Sequence, residues 1–120
     1  MTGIRVDLRS PTPVYEQIRS QVAGLVAVGD LAPGDRLPAS RTLAHDLGIA
    51  VGTVQRAYRE LEQSGVVVSR RRTGTVVAGT PDAGHGALVR SVRALVDRAR
   101  ADGLDDAAIL DLVRAVLRDR

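Results

Sequence analysis

Residues 40–65 read SRTLAHDLGIAVGTVQRAYRELEQSG, and this stretch contains two short helical patterns separated by Gly48. The residues that share one face of the first pattern are Leu43, Ala44 and Leu47. Those that share one face of the second are Val54, Ala57, Tyr58 and Leu61, with Gly65 as a stop. Two short helices so closely joined must cross steeply, which predicts a helix-turn-helix.

The boundaries of these two helices follow from local signals. We expect Ser40 to cap the first helix, which places Arg41 at its first position, and Gly48 to end it. We expect residues 49–52 to form the tight turn, and the second helix to run to about Ser64. The side chains that would then face outward from the second helix are Gly52, Thr53, Gln55, Arg56 and Arg59.

The flanking segments complete a known architecture. Upstream, a helix is predicted from Pro13 to Gly29, followed by a turn with one short strand at Arg36-Leu37. Downstream, two β-branched runs, 66–68 and 75–77, flank the basic loop Arg70-Arg71-Arg72-Thr73-Gly74 and predict a hairpin. The fold class is therefore α+β: a winged helix-turn-helix of three helices and a β-hairpin wing.

A Gly-rich segment after the hairpin divides the chain. We assign 1–79 to the winged helix-turn-helix domain, 80–86 to a linker and 87–120 to a helical hairpin. Asp105 is placed to cap the second helix of that hairpin. A hairpin of this size cannot bury both of its apolar stripes alone, so we favour pairing with a second copy over packing on the first domain. The residues assigned to dimerisation are Leu88, Val92, Leu95, Val96, Ile109, Leu110, Val113, Val116 and Leu117.

Charge is unevenly distributed along the chain, and every basic side chain is an arginine. Residues 1–80 contain ten arginines and seven acidic residues, whereas residues 81–120 contain seven of each. Within 36–72 there are seven arginines against three acidic residues. Such a local surplus is typical of a surface that binds a polyanion, and it indicates DNA as the partner of the first domain.

Several function classes lack the residues that they require. The chain has no cysteine, which excludes disulfides and thiolate chemistry, and its two histidines belong to no HExxH, GxSxG or P-loop pattern. No apolar run approaches the roughly 18 residues of a membrane span. We therefore expect a cytoplasmic protein that is not an enzyme and that carries no metal or cofactor. No residue pattern indicates a small-molecule effector, although a dimer interface could accommodate one.

The ordered motifs resemble the DNA-binding domain of the GntR family. The matching residues are Pro13-Val14-Tyr15-Glu16-Gln17-Ile18, Gly34-Asp35-Arg36-Leu37-Pro38-Ala39-Ser40-Arg41-Thr42-Leu43-Ala44, Leu47-Gly48-Ile49, Thr53-Val54-Gln55-Arg56-Ala57-Tyr58-Arg59-Glu60-Leu61-Glu62 and Gly65-Val66-Val67. The short C-terminal part is similar to the YtrA subfamily, whose members dimerise through two helices. The resemblance implies a cytoplasmic transcription regulator, commonly a repressor, that binds a palindromic operator. The sequence departs from the family at Ala50-Val51-Gly52, where related chains often carry a polar cap.

The candidate DNA-binding residues come from the residue pattern and from this resemblance together. Gln and Arg side chains can pair with base edges, and a basic loop after a helix-turn-helix can lie along the phosphate backbone. The assigned residues are Arg41, Thr53, Gln55, Arg56, Arg59, Arg70, Arg71, Arg72 and Gly74. The alternative is a winged-helix module that acts mainly through protein–protein contacts. Single-stranded RNA is disfavoured, because only two tyrosines are present for base stacking.

Overall fold

The computed structural model describes residues 3–79 and 83–119, which fall into two compact units, Met1–Pro81 and Asp82–Arg120. The first unit contains α1 (Val14–Ala27), α2 (Ser40–Leu47), α3 (Val51–Gln63), β1 (Val67–Arg70) and β2 (Gly74–Val77). The second contains α4 (Ala83–Ala101) and α5 (Asp106–Arg118). Three helices followed by an antiparallel hairpin confirm the predicted α+β winged-helix fold.

The core of the first unit is built almost entirely from aliphatic side chains. Ile18 and Val22 of α1 and Val54 and Leu61 of α3 are fully buried. Fully burying one such side chain is worth about 1.5–3 kcal/mol, so this cluster is a large part of what holds α3 in place. The predicted inward face of α3 is confirmed, since its buried residues are Val54, Ala57, Tyr58 and Leu61.

The wing is tied to the core on both of its strands. In β1 and β2, Val67 pairs with Val77 and Arg70 pairs with Gly74. The predicted short strand at Arg36-Leu37 is present as an isolated antiparallel bridge between Arg36 and Val76. The strands extend further toward the tip than the sequence indicated, so the connecting loop is only Arg71-Arg72-Thr73.

Two helix starts differ from the sequence prediction. Ser40 does not cap α2: Ala39 holds the capping position, no side chain accepts there, and the Leu43 N–H donates to the Ala39 carbonyl at 3.0 Å. Arg41 is therefore the second helical residue rather than the first. α3 begins at Val51, so the turn after Gly48 is two residues shorter than expected. At α3 the Thr53 N–H donates to the Ala50 carbonyl at 3.1 Å, so in both helices backbone bonds begin before the start that the side-chain signals indicated.

The second unit is a helical hairpin around a small core. Ala99 and Ile109 are buried, and the Asp105 carboxylate caps α5 by accepting from the Ala108 N–H at 2.9 Å, as predicted. The predicted linker 80–86 needs correction, because α4 begins at Ala83; residues 80–82 lie outside the described residues. The two glycines in 83–86 lower the helix propensity of this segment. Extending an existing helix costs much less than starting one, so the helix formed by the apolar residues that follow also includes 83–86.

Two glutamines of α1 hold the N-terminal segment against the first unit. The Gln21 amide accepts from the Arg5 N–H at 2.9 Å and donates to the Arg5 carbonyl at 2.6 Å. Gln17 repeats this arrangement at Asp7, with distances of 2.8 and 2.9 Å. Because Arg5 and Asp7 are two residues apart in extended chain and the glutamines are one helical turn apart, each amide acts as a strand partner. We call these two pairs of hydrogen bonds the clamp. Ile4, which precedes the clamped residues, is buried.

Replacing Gln17 with Met should release this segment, because the thioether fills similar space but makes no amide hydrogen bonds. We expect the free energy of unfolding to fall by about 1–2 kcal/mol, as each bond contributes roughly 1 kcal/mol. Denaturant unfolding measures the loss, and hydrogen exchange at the Asp7 amide locates it. The exposed Gln63→Met change should leave both unaltered. Full protection of the Asp7 amide in the Gln17 variant would contradict the clamp.

Candidate nucleic-acid interface

A sharp turn brings α2 and α3 together. Gly48 adopts the left-handed conformation, with φ 68° and ψ 37°, and its N–H donates to the His45 carbonyl at 3.2 Å. The Ile49 N–H then donates to the Ala44 carbonyl at 3.0 Å, which closes the end of α2. A side chain at position 48 would be strained in this conformation, so glycine is what allows α3 to begin three residues later, at Val51.

The outward face of α3 holds most of the predicted base-reading residues. Gln55 and Arg59 are exposed, and Thr53 is half-buried, with its N–H donating to the Ala50 carbonyl at 3.1 Å. Because the opposite face is locked in the core, these side chains keep a fixed direction. A Gln side chain at this position can pair with both hydrogen-bonding groups of an adenine edge in a major groove.

Arg56 has partners within the protein. Its guanidinium carbon lies 3.8 Å from the centre of the Tyr15 ring on α1, and its Nε lies 3.9 Å from the Glu60 carboxylate. A cation over an aromatic face is worth about 0.5–1 kcal/mol at an exposed site. The sequence assigned Arg56 to DNA contact; the structure places it at the seam between α1 and α3, with its side chain 55% exposed.

The same seam contains a second ion pair. The Arg19 guanidinium donates two hydrogen bonds to the Glu16 carboxylate, at 2.6 and 2.7 Å. These bonds lower the pKa of Glu16 and raise that of Arg19, to which the negative charge of Glu60 adds a smaller contribution. Charges therefore alternate along the seam, and none of its carboxylates lies on the outward face of α3 that carries Gln55.

Tyr58 links α3 to the segment before α2. Its hydroxyl donates to the Pro38 carbonyl at 2.9 Å, and burial raises the pKa of the Tyr58 hydroxyl to about 12. The bond holds the extended residues that lead into α2, and thereby the start of the helix that carries Arg41. The sequence indicated Tyr58 only as a core residue, since its partner lies 20 residues away.

The amino ends of α2 and α3 lack acidic side chains. Neither helix has an acid in its first turn or a side-chain cap, and Ala50 confirms the unusual uncapped start predicted for α3. By contrast, α1 carries Glu16 and α5 carries Asp106 in the first turn. The positive end of the helix dipole is thus left uncompensated at both helices of the helix-turn-helix, which favours an anion nearby.

The wing presents its arginines to solvent. Arg70, Arg71 and Arg72 are exposed around the tip, and Gly74, at φ 77°, closes the loop as the strand partner of Arg70. Within residues 3–79 and 83–119 the ion pairs formed by arginine are those of Arg19, Arg56 and Arg100, so the wing has none. Glu62, the nearest acid on α3, instead accepts from the Ser69 N–H at 3.2 Å.

Arg36 is a candidate that the sequence analysis did not select. Its side chain runs over the start of β2, where a Cβ on Gly74 would lie 3.7 Å from the Arg36 Nε. The signal in the sequence was the predicted strand at Arg36-Leu37, which places alternate side chains on opposite faces. Leu37 faces the core, so Arg36 faces outward beside the wing.

In the second unit most of the residues assigned to dimerisation are exposed. Ile109 differs, because it is buried within the hairpin, and Val96 is half-buried. Leu112 is an exposed apolar residue that the sequence analysis did not include. The exposed members of the predicted set are Leu88, Val92, Leu95, Leu110, Val113, Val116 and Leu117.

Among the described residues, no group of three or more His, Cys, Asp or Glu side chains could hold a metal ion. No helix in the same part of the chain is long and apolar enough to cross a bilayer.

These features define a winged-helix DNA-binding transcription regulator. The model of the bacterial regulatory proteins of the gntR family matches residues 14–77, which is more than half of the chain. The chain therefore belongs to the GntR family, as the motifs in its sequence suggested.

Relatives extend the likeness beyond the DNA-binding domain. The chain is 44% identical to the HTH-type transcriptional regulator Rv1152 of Mycobacterium tuberculosis, over 84% of this chain and 83% of that one. It is 43% identical to the HTH-type transcriptional repressor YtrA of Bacillus subtilis, over 62% and 58%. A solved structure of YtrA from Sulfolobus acidocaldarius, 34% identical, covers 97% of both chains with a TM-score of 0.61. The chain is a YtrA-like GntR regulator.

Replacing Tyr58 with Phe tests the link between α3 and the start of α2. At neutral pH we expect a loss of about 1 kcal/mol in unfolding free energy, since the Pro38 carbonyl loses its donor. The pKa of the Tyr58 hydroxyl is higher in the folded state than in the unfolded state. Its contribution to the free energy of unfolding is therefore fully present below about pH 10, the unfolded pKa, and is lost as pH rises toward 12. The alkaline decline in stability should therefore be smaller in Tyr58→Phe.

Urea unfolding between neutral and alkaline pH measures both effects. Tyr15→Phe is the matched control, because it keeps the ring under Arg56 and should leave neutral stability unchanged. Equal alkaline sensitivity of Tyr58→Phe and the unsubstituted protein would contradict this assignment.

Proposed function

We propose that this chain represses transcription in the cytoplasm by binding, as a homodimer, a DNA site composed of two related half-sites. The observation that carries the DNA-binding part is a cluster of exposed wing arginines that form no ion pair among the described residues. It lies beside a helix-turn-helix with uncompensated amino ends. Repression is supported by the name of one relative, the repressor YtrA of Bacillus subtilis.

Each element has a distinct part in this proposal. The exposed face of α3, with Gln55 and Arg59, enters the major groove and reads bases, and Thr53 contributes at its start. Arg41 contacts DNA from the first turn of α2. The wing arginines bind phosphates, or the adjacent minor groove, and Gly74 allows the tight return of the wing. Arg56 supports α3 from the side through Tyr15 and reaches the duplex only with its exposed portion.

The second unit supplies the two-fold pairing. Its exposed leucines and valines would leave a large apolar surface in water, and eight of the ten exposed large apolar residues in the described chain belong to α4 and α5. A two-fold dimer buries such a surface and presents two recognition helices at the spacing of one DNA turn. The balanced charge of residues 81–120 fits a role in pairing, not DNA binding.

The wing assignment predicts a change in salt dependence. In Arg71→Ala with Arg72→Ala, loss of two phosphate contacts per protomer should make the slope of log affinity against log salt shallower by about 2 per protomer, or about 4 for the dimer, and weaken binding to all duplexes alike. Fluorescence anisotropy with DNA from upstream of the gene, mapped by footprinting, measures it. Arg93→Ala with Arg114→Ala removes equal charge from the second unit and should preserve the slope.

Gln55→Ala should instead change which base is preferred.

The outcome decides between two functions. A wing variant that binds as the original protein does would rule out the assigned interface. If the unsubstituted chain bound no duplex even in dilute buffer, the module would act through protein–protein contacts instead.

The dimer assignment predicts that a charge on the apolar face of α5 separates the copies. Leu110→Glu places a carboxylate on this face, where Leu110 is 52% exposed, and should convert the dimer to a monomer in light scattering. Binding to a duplex with two half-sites should weaken, while binding to a single half-site should not. Ala115→Glu adds the same charge at an exposed position away from this face and should remain dimeric. A monomer in the unsubstituted protein would refute pairing.

A further inference from the structure

The segment before α2 pairs with β2 beside the wing. The Gly34 N–H donates to the Val77 carbonyl, the Val77 N–H to the Asp35 carbonyl and the Leu37 N–H to the Thr75 carbonyl, each at 2.8 Å. These bonds surround the bridge between Arg36 and Val76. The backbone is thus bonded to β2 both before and after position 36. The Cα from which the Arg36 side chain projects is therefore held in place.

The guanidinium of Arg36 lies across the place where the wing turns back. A Cβ built on Gly74 would be 3.7 Å from the Arg36 Nε and 3.9 Å from its Nη2. These are ordinary van der Waals distances, so they locate the guanidinium beside the start of β2, next to the strand pair of Arg70 and Gly74. Arg36 is exposed, so this contact does not remove its charge from solvent.

The carboxylates near Arg36 do not neutralise it. Asp35 turns back, with its carboxylate accepting from the Ala32 N–H at 2.8 Å. Asp46 lines the same surface groove as Arg36, but the two form no ion pair within 4.0 Å in the described chain. Arg36 therefore adds a fourth positive charge to the three of the wing. Four cations that repel one another in the free protein are stabilised together by a polyanion.

We propose that Arg36 is a phosphate-contacting residue of the DNA interface, held beside the wing by the backbone bonds between its segment and β2. This inference rests on the proposed function and extends the interface from the wing tip to the segment that leads into α2. The arginines of the wing and Arg36 then differ in how firmly they are held. Arg71 and Arg72 lie in a short loop, whereas Arg36 projects from a backbone that is hydrogen-bonded on successive residues. Arg36 sets the distance between the wing and the DNA backbone. The arginines at the wing tip adjust their positions to the phosphates at that distance.

The test compares Arg36→Gln and Arg36→Lys with the unsubstituted protein. The probes are the duplex mapped by footprinting and a duplex of unrelated sequence, each titrated over a range of salt. Arg36→Gln should weaken binding to both duplexes and make the salt slope shallower by about 1 per protomer, or about 2 for the dimer, because each protomer loses one phosphate contact. Arg36→Lys keeps the charge and should keep the slope. The melting temperature of both variants should stay near that of the original protein, since the strand bonds come from the backbone.

Every outcome bears on the assignment. Arg36→Gln with an unchanged salt slope would overturn it, as would equal impairment of both variants with a lowered melting temperature, which would make Arg36 only a brace for the wing. Arg93→Gln is the control for charge, and it should leave the slope intact. If the original protein binds and the Arg71, Arg72 variant loses slope while Arg36→Gln does not, this inference alone fails. If the original protein binds neither duplex, the proposed function fails with it.

Discussion

The packing of α3 on α1 is the constraint on which the rest of the first unit depends. The four side chains at its centre, Ile18, Val22, Val54 and Leu61, have no measurable contact with solvent. Close-packed aliphatic side chains of this kind leave little room to slide, because a small shift opens a void or forces a clash. Apolar packing on one face thus determines the direction of α3. The same packing also fixes where the polar face points, with no bond made by the polar side chains.

Polar interactions then refine this arrangement at its edges. Arg56 and Tyr15 join α3 to α1 outside the core, and Tyr58 joins α3 to the segment before α2. Each of these is worth only about 1 kcal/mol, which is small against the buried apolar cluster. Their effect is on geometry: the Arg56 contact fixes α3 against α1, and the Tyr58 bond fixes the segment before α2 against α3.

The sequence predicted the elements better than the partners of individual side chains. Apolar periodicity identifies α1, α2 and α3, and Gly48 marks the end of α2 because a left-handed residue is a local requirement. The Arg56 contact with Tyr15 joins positions far apart in the chain, and no local pattern reveals such a pair. The same holds for Arg36, whose significance depends on β2 passing alongside it. At 83–86, a glycine-rich composition indicated a linker where the adjoining helix prevailed.

The helix starts show where local stability has been given up. Asp105 caps α5 through its carboxylate, whereas α2 and α3 begin after alanines that cannot cap. A polar cap in place of Ala39 or Ala50 would typically add about 1 kcal/mol each. An acidic cap would also place negative charge at the helix ends that approach phosphate, and its repulsion from the duplex would offset the gain in stability. In the first unit α1 also lacks a side-chain cap but carries Glu16 in its first turn, so the starts with neither a cap nor an acid are the two of the helix-turn-helix, where binding is proposed.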